Sequence, residues 1–222
     1  MKKNMLEKGS NDMAEEKIKI GNINDAYTFV SGCDPYKIKK GVLSIPGCED
    51  MKVWLVALRG TNGSMDKKDP LGMPVCIRSA CGKNNIFFSL VKEAILKEIP
   101  AGDNIMFIGH SLGGMVCQQL GADAELKSTY RLLNVLTFGS PYVLFRGSKC
   151  TLHRMLEKAD IIPLVCSPAF AGNYFLGNAV HEGGGYYFNF LGAHCDSYEH
   201  SPVWRSYDCF GLKNGGRVLT LE

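Results

Sequence analysis

The sequence lacks the features that would place it in several large classes of proteins. Its 25 Lys and Arg residues nearly balance its 22 Asp and Glu residues, and a formal charge of +3 is too small to favour nucleic acid as a partner. No window approaches the ~18 consecutive apolar residues of a membrane-spanning helix, so no transmembrane segment is predicted. The nine cysteines include no C-x-x-C pair, which leaves zinc knuckles and thioredoxin-type redox motifs without support.

The first 17 residues differ in composition from the rest of the chain. They alternate charged residues with Gly, Ser and Asn, a pattern typical of a loose leader over residues 1–17. No apolar stretch of signal-peptide length follows the two opening lysines, and the scattered cysteines suit a reducing compartment. We therefore expect a cytoplasmic protein, with signal-independent export left open, and a single domain over residues 18–222.

Apolar runs alternate with helical patterns through the middle of the chain. Buried strands are predicted at 53–58, 104–109, 132–139 and 153–158. Helical spacing of apolar residues is found at 86–99 and 112–126, and the C-terminal GRVLTLE has the alternation of a short strand. Because strands and helices alternate along the chain, the pattern predicts an α/β fold with a largely parallel sheet.

A serine stands where a predicted strand gives way to a predicted helix. Residues 109–113 are G-H-S-L-G, and G-x-S-x-G in this setting is typical of a nucleophile elbow. Gly109 and Gly113 have no Cβ, so a tight turn can hold Ser111 in a strained conformation with its Oγ above the sheet. The following helix points its free N–H groups at the place where an oxyanion would form. Ser111 is therefore the candidate nucleophile; the alternative is a glycine-rich turn with an incidental serine.

A nucleophilic serine needs a histidine as base and a carboxylate that orients this histidine. On such an elbow the acid follows the serine in the chain, and the histidine follows the acid. Asp160 follows a predicted strand and would lie at the carboxyl edge of the sheet, where open α/β sheets place their sites; its alternative role is to cap a loop. The side chain of His110 is expected to point elsewhere. The candidates for the base are His181, His194 and His200.

Four motifs in this order resemble those of the class 3 lipases, the fungal-lipase-like branch of the α/β hydrolases. They are LVALRGT at 55–61, IGHSLGG at 108–114, TFGSPYV at 137–143 and ADIIPLV at 159–165. The resemblance implies an α/β-hydrolase fold, with a mostly parallel sheet flanked by helices. It also implies that Ser111 is the nucleophile, that Asp160 is the acid, and that the backbone N–H groups of Leu112 and Thr61 form the oxyanion hole, with the Thr61 hydroxyl as a further donor. The segment VHEG is similar to a family segment that makes His181 structural.

The family places its catalytic histidine just before a C-terminal helix, often within H-S-x-x-x-Y. His194 and His200 each have an aromatic residue four positions later rather than five. His200 is favoured, because Ser201 can cap a helix and Pro202 suits its first turn. A helix that began after His194 would meet Pro202 in its interior, where a proline costs ~3 kcal/mol or produces a kink. A zinc site formed by His194, Cys195 and His200 has no recognised ligand spacing.

The resemblance implies a serine hydrolase that cleaves carboxylic esters of lipid acyl chains, with no metal or organic cofactor. Its partners would be a lipid ester substrate and, transiently, a lipid interface. Residues 62–74 stand where the family often carries a lid, and they are expected to form either a small amphipathic flap or a surface loop. The alternatives are a phospholipase A1, an acyltransferase or a peptidase of the same fold, and a catalytically silent scaffold.

Overall fold

The described part of the chain forms a mixed sheet of eight strands. The computed structural model describes residues 17–143, 150–165, 175–186 and 188–222. The strands are β1 (Ile18–Ile20), β2 (Tyr36–Ser44), β3 (Met51–Leu58), β4 (Asn104–His110), β5 (Arg131–Phe138), β6 (Thr151–Glu157), β7 (Ala179–Glu182) and β8 (Val218–Leu221). Their order in the sheet is β1-β8-β2-β3-β4-β5-β6-β7. Pairing is parallel from β3 to β7, and antiparallel where β1, β8, β2 and β3 meet.

Helices connect the strands and cover both faces of the sheet. They are α1 (Ile23–Ser31), α2 (Met73–Ala80), α3 (Ile86–Glu98), α4 (Ser111–Ala122), α5 (Ala124–Thr129), α6 (Ile162–Val165), α7 (Phe190–His194), α8 (Asp196–His200) and a 3₁₀ helix at Pro202–Ser206. Each face has its own core, because successive strand residues point to opposite sides. In β3, Leu55 and Ala57 pack in one core with α1, whereas Val56 and Leu58 pack in the other with α3 and α4. The predicted α/β class, with a mostly parallel sheet flanked by helices, is confirmed.

The central strands agree with the apolar runs that predict them. β3, β4, β5 and β6 lie within two residues of the predicted bounds, and β8 occupies the C-terminal GRVLTLE. The helix predicted at 86–99 is α3, and the Asn85 side chain caps it by accepting a hydrogen bond from the Phe88 N–H at 3.0 Å. The single helix predicted at 112–126 is wrong: the chain breaks at Asp123, whose carboxylate caps α5 instead.

Residues 62–72 form a loop of turns rather than a helical flap. Short polar side chains bond to the backbone two residues on, as when the Ser64 N–H donates to Asn62 Oδ1 at 2.9 Å. Helical structure begins only with α2 at Met73. Within this loop Met65 is 75% exposed, whereas Leu71 is buried. The surface-loop alternative describes this segment, and its action as a lid stays a prediction.

Several expectations lie outside what the structure describes. The leader over 1–17 falls outside the described residues apart from Lys17, so its division from a single domain over 18–222 stays a prediction. Among the described residues, no helix is both long and apolar enough to cross a membrane. The cytoplasmic location stays a prediction as well.

The parallel strands bring separate chain segments to one edge of the sheet. β4, β5 and β6 are neighbours and run in the same direction, so their carboxyl ends lie together. The residues that follow these ends are Ser111, Gly139 and Asp160. This edge therefore holds the candidate nucleophile and the candidate acid.

Candidate active site

Ser111 occupies a strained turn between β4 and α4. Its φ is +50°, a left-handed conformation that is uncommon for any residue other than glycine. A Cβ on Gly113 would collide with the carbonyl oxygens of Leu58 and Arg59, and a Cβ on Gly109 would lie 2.6 Å from the carbonyl carbon of Gly113. Both glycines are therefore required for the turn to close, as the motif predicts.

His194 lies between Ser111 and Asp160. Its Nε2 is 3.0 Å from the Ser111 Oγ, and its Nδ1 is 2.9 Å from the Asp160 Oδ2. All three residues are buried, with 4% of Ser111, 8% of His194 and 1% of Asp160 exposed. An ionised carboxylate only accepts hydrogen bonds, so Nδ1 carries the proton and Nε2 is free to accept one from the serine. This arrangement has the geometry of a nucleophile, a base and an orienting acid.

The expectation that His200 meets Ser111 and Asp160 is wrong. His200 is an exposed residue at the end of α8. Pro202 does begin a helical turn, the 3₁₀ helix, after Ser201. The prediction required a helix that follows His194 to continue into Pro202. Instead α8 has five residues and ends at His200, which leaves Pro202 outside it.

Tyr198 holds Asp160 in place, a contact that the sequence did not predict. Its hydroxyl donates to the Asp160 Oδ2 at 3.2 Å and accepts from the Glu157 N–H at 2.9 Å. The other carboxylate oxygen, Oδ1, accepts from the Ile162 N–H at 3.0 Å. Burial, and then the charge of Asp160, raise the pKa of Tyr198 well above its ordinary value, so the hydroxyl keeps its proton. The available signal was the aromatic residue four positions after His194.

Gly139, in the T-F-G-S-P segment after β5, lies directly against the acid and the base. Its φ is +53°. A Cβ at this position would stand 2.6 Å from the Asp160 Oδ2 and 2.9 Å from the His194 Nδ1. The absence of a side chain here leaves room for the hydrogen bond between these two residues.

The side chain of His110 was expected to point away from the site, but it contacts His194. Its Nε2 lies 2.8 Å from the backbone carbonyl oxygen of His194, and the two imidazole rings are 4.6 Å apart between centroids. Burial, and then the neighbouring His194, lower the pKa of His110 to about 3. A neutral imidazole therefore packs against the candidate base.

The Thr61 loop runs beside the nucleophile. A Cβ on Gly60 would lie 3.3 Å from the Ser111 Cβ. The Thr61 hydroxyl donates to the Leu71 carbonyl oxygen at 2.6 Å, so its proton holds the loop together. The Thr61 N–H makes no hydrogen bond to another described residue. Leu112 is buried in the first turn of α4, where backbone N–H groups have no partner within the helix.

His181 lies in the edge strand β7, where it pairs with Leu156 of β6. Its ring packs against Phe175, with 5.2 Å between centroids. Burial lowers its pKa. Its contacts are thus with the sheet and the segment before β7, and its structural role stays a prediction.

One small cavity borders the candidate site, and a larger cavity lies beside α2 and α3. One of about 170 Å³ is lined by residues that include Thr61, His110 and Cys195. Another of about 940 Å³ lies between α2 and the start of α3, and its lining does not include Ser111. Within the described residues, no group of three His, Cys, Asp or Glu side chains is arranged to hold a metal ion.

Exposed apolar side chains lie just before the candidate base in the chain and just after the candidate acid. Phe190 and Leu191, at the start of α7, are 52% and 77% exposed, and Phe188 just before them is fully exposed. Ile161 and Leu164, which follow Asp160, are also exposed.

Comparisons with known proteins include a weak likeness to a solved structure. No family model matches the chain, and no curated protein matches it. Among solved structures, the chain is similar to the crystal structure of Lip2 lipase from Yarrowia lipolytica, with 17% sequence identity and a TM-score of 0.31. The match covers 60% of this chain and 62% of that one. The chain thus spans about three fifths of the lipase that it matches, and a likeness at this level carries no functional argument.

Proposed function

We propose that this protein is a serine hydrolase that cleaves carboxylic esters, with Ser111, His194 and Asp160 as its catalytic triad. One observation carries the proposal: hydrogen bonds of 3.0 and 2.9 Å link the Ser111 Oγ, the His194 ring and the Asp160 carboxylate in one chain. The positive φ of Ser111 adds to it, because strained residues persist where the surrounding structure enforces them, often at catalytic sites. His194 takes the role that the sequence assigned to His200.

The reaction follows from the proton positions. His194 Nε2 accepts the Ser111 hydroxyl proton as the Oγ attacks the ester carbonyl carbon, and Asp160 stabilises the imidazolium that results. As the tetrahedral intermediate collapses, His194 gives this proton to the departing alkoxide, and the acyl group stays on Ser111. A water then attacks the acyl-enzyme; His194 takes a proton from the water, then returns one to Ser111 as the carboxylic acid leaves.

The backbone N–H groups of Leu112 and Thr61 are the proposed oxyanion donors. Support comes from the Thr61 loop, which lies against Ser111, and from the N–H of Thr61, which has no other partner among the described residues. One such donor is worth ~3 kcal/mol of transition-state stabilisation. The Thr61 hydroxyl is not included, since its proton is directed to the Leu71 carbonyl.

The proposed substrates are esters with an apolar acyl chain, as in a class 3 lipase. The exposed residues Phe188, Phe190 and Leu191, which precede His194 in the chain, support this choice over a polar substrate. They would also provide contact with a lipid interface during turnover. The four motifs in chain order support membership of the class 3 lipase family.

Labelling with a fluorophosphonate probe, followed by intact mass, tests the proposal. The wild type should gain one adduct, Ser111→Ala none, and His194→Ala should react at least about 10³-fold more slowly. His200→Ala is the matched control and should react like the wild type. Hydrolysis of p-nitrophenyl octanoate and p-nitrophenyl acetate, compared as kcat/KM, then tests the preference for an apolar chain.

A wild type that takes no adduct, with or without detergent, would refute the hydrolase and leave a catalytically silent scaffold. Equal loss of labelling in His194→Ala and His200→Ala would refute the assignment of the base.

A further inference from the structure

His110 and His194 contact each other through a hydrogen bond and through their rings. The His110 Nε2 is 2.8 Å from the backbone carbonyl oxygen of His194. Because a carbonyl oxygen only accepts hydrogen bonds, the proton of the neutral His110 ring must lie on Nε2. The ring planes are inclined by 44°, with their centroids 4.6 Å apart. His110 thus constrains both the main chain and the ring of the proposed base.

The segment that carries His194 has little helical structure to hold it. α7 and α8 have five residues each and meet at Cys195, whose φ and ψ are −113° and −65°. Helices shorter than ~12 residues are marginal on their own, so the position of His194 depends on the elements that pack against it. His110 is the last residue of β4 and the direct neighbour of Ser111. The strand that positions the nucleophile therefore also touches the base.

The surroundings of His110 keep its ring neutral, so that its Nε2–H remains a hydrogen-bond donor. Three titratable rings pack against His110, with centroid distances of 5.2 Å to Tyr27 of α1, 6.4 Å to Tyr198 of α8 and 4.6 Å to His194. Arg59 and Cys195 line the same small cavity as His110. In this buried setting the ring stays neutral, with a pKa of about 3. A neutral ring adds no positive charge beside His194 when that residue takes the serine proton.

We propose that His110 is a positioning residue of the hydrolase: its Nε2–H holds the backbone carbonyl of His194, and this contact keeps the His194 ring within hydrogen-bond distance of Ser111. The inference rests on the proposed function. His110 itself exchanges no proton with the substrate, and its role is confined to the placement of the base.

Two variants at this position separate the hydrogen bond from the ring. His110→Gln places an amide N–H at a similar reach from the main chain, whereas His110→Phe keeps a ring of similar size and removes the donor. We expect His110→Phe to lower kcat for p-nitrophenyl butyrate by about 10- to 100-fold with KM changed less than about twofold, because a small misplacement of the base acts on the chemical step. His110→Gln should stay within about fivefold of the wild-type kcat.

The outcomes distinguish this inference from the function on which it rests. A kcat for His110→Phe within about threefold of the wild type would overturn the positioning role, and so would equal losses in both variants. A wild type that neither hydrolyses the ester nor reacts with the fluorophosphonate would instead refute the hydrolase itself.

NMR of the wild type labelled with ¹⁵N-histidine decides the matter if His110→Phe does not fold. The His110 signals, assigned by their absence from His110→Gln, should show the neutral Nε2–H form at about pH 5 and about pH 8 alike. A proton on Nδ1, or a shift in these signals between the two conditions, would overturn the proposed hydrogen bond.

Discussion

Among the individual residues, the Asp160 carboxylate depends on donors beyond the histidine that it faces. Tyr198 and the Ile162 N–H bind its two oxygens, and no carboxylate oxygen is left to rotate toward another partner. A carboxylate fixed in this way orients His194 through a single strong contact. Removal of the tyrosine hydroxyl should therefore affect the rate as well as the stability.

Tyr198→Phe is expected to lower kcat about tenfold and the free energy of unfolding by about 1–3 kcal/mol, because it frees Asp160 and leaves the buried Glu157 N–H unpaired. Ester hydrolysis and urea unfolding measure the two effects. Tyr207→Phe is the matched control: it removes a hydroxyl that donates to the Glu182 Oε1 at 2.8 Å, away from the triad. Equal rates for the two variants would contradict the role of Tyr198.

Gly139→Ala is expected to lower kcat by at least about 100-fold, because its Cβ would displace the Asp160 carboxylate or the His194 ring. Gly102→Ala is the control, since Gly102 also has a positive φ, +88°, but a Cβ there would have no atom within 4 Å. Each substitution should cost about 1–2 kcal/mol of stability through the left-handed backbone. Only the first should reduce the rate of ester hydrolysis; equal rates would contradict the close approach.

Motifs in the sequence predicted the neighbourhood of Ser111 and Asp160, because glycine and chain order leave a local signature there. The base was harder to predict, since its placement depends on where two five-residue helices end. Pro202 itself indicates that α8 ends before it, but no local pattern specifies that a helix as short as five residues follows His194. The same holds for Tyr198, whose hydrogen bond reaches across 38 residues of the chain to Asp160.

On the scale of elements, α1 holds the helix that follows the base. The Asn24 side-chain amide lies within hydrogen-bond distance of the backbone carbonyls of Tyr198, Glu199 and Ser201, at 2.9, 2.8 and 3.2 Å. These carbonyls belong to the end of α8, where a helix has no further N–H groups to satisfy them. A side chain of α1, near the beginning of the described chain, thus binds the carbonyl groups at the end of α8.

Asn24→Ala is expected to lower the free energy of unfolding by about 1–3 kcal/mol and kcat several-fold, because α8 carries Tyr198 and adjoins His194. Asn22→Ala, on the same helix, removes only the N-cap of α1 and should cost about 1 kcal/mol with no change in kcat. Urea unfolding and ester hydrolysis of both variants test this. A normal kcat in Asn24→Ala would show that α1 stabilises α8 without influencing the site.

Burial on both faces is the reason that the apolar strands in the middle of the sheet could be predicted. β3, β4 and β5 are largely apolar runs, whereas β2 includes Lys37, Lys39 and Lys40 and was not predicted. The break between α4 and α5 was missed because the apolar spacing continues across Asp123, and a cap is a property of one side chain's hydrogen bonds.

For the whole molecule, buried neutral histidines make stability depend on pH. Burial lowers the pKa of His110, His153 and His181, so each binds a proton more readily in the unfolded chain. The stability that His110 contributes is therefore present above the unfolded pKa, near 6.5, and is lost as the pH falls toward its folded pKa of about 3.

Between about pH 7 and about pH 5, the wild type should lose about 2 kcal/mol of unfolding free energy that His110→Gln does not lose. His153 and His181 are present in both the wild type and His110→Gln, so their contributions to the pH dependence serve as the internal control. Urea unfolding of each protein at both pH values measures the difference. Parallel losses would show that His110 does not enter the unfolding equilibrium as a buried neutral group.

The place of β8 in the sheet has a consequence for the order in which the protein is made. β8 lies between β1 and β2, so β1 has no neighbour among the described strands until Val218–Leu221 has left the ribosome. Pairing of strands so far apart in the chain is slow, because the entropy of closing the long loop is lost before the strand contacts can form. The elbow at Ser111 therefore emerges long before the sheet is complete, and the newborn chain carries its serine without its base until a further 83 residues have been made.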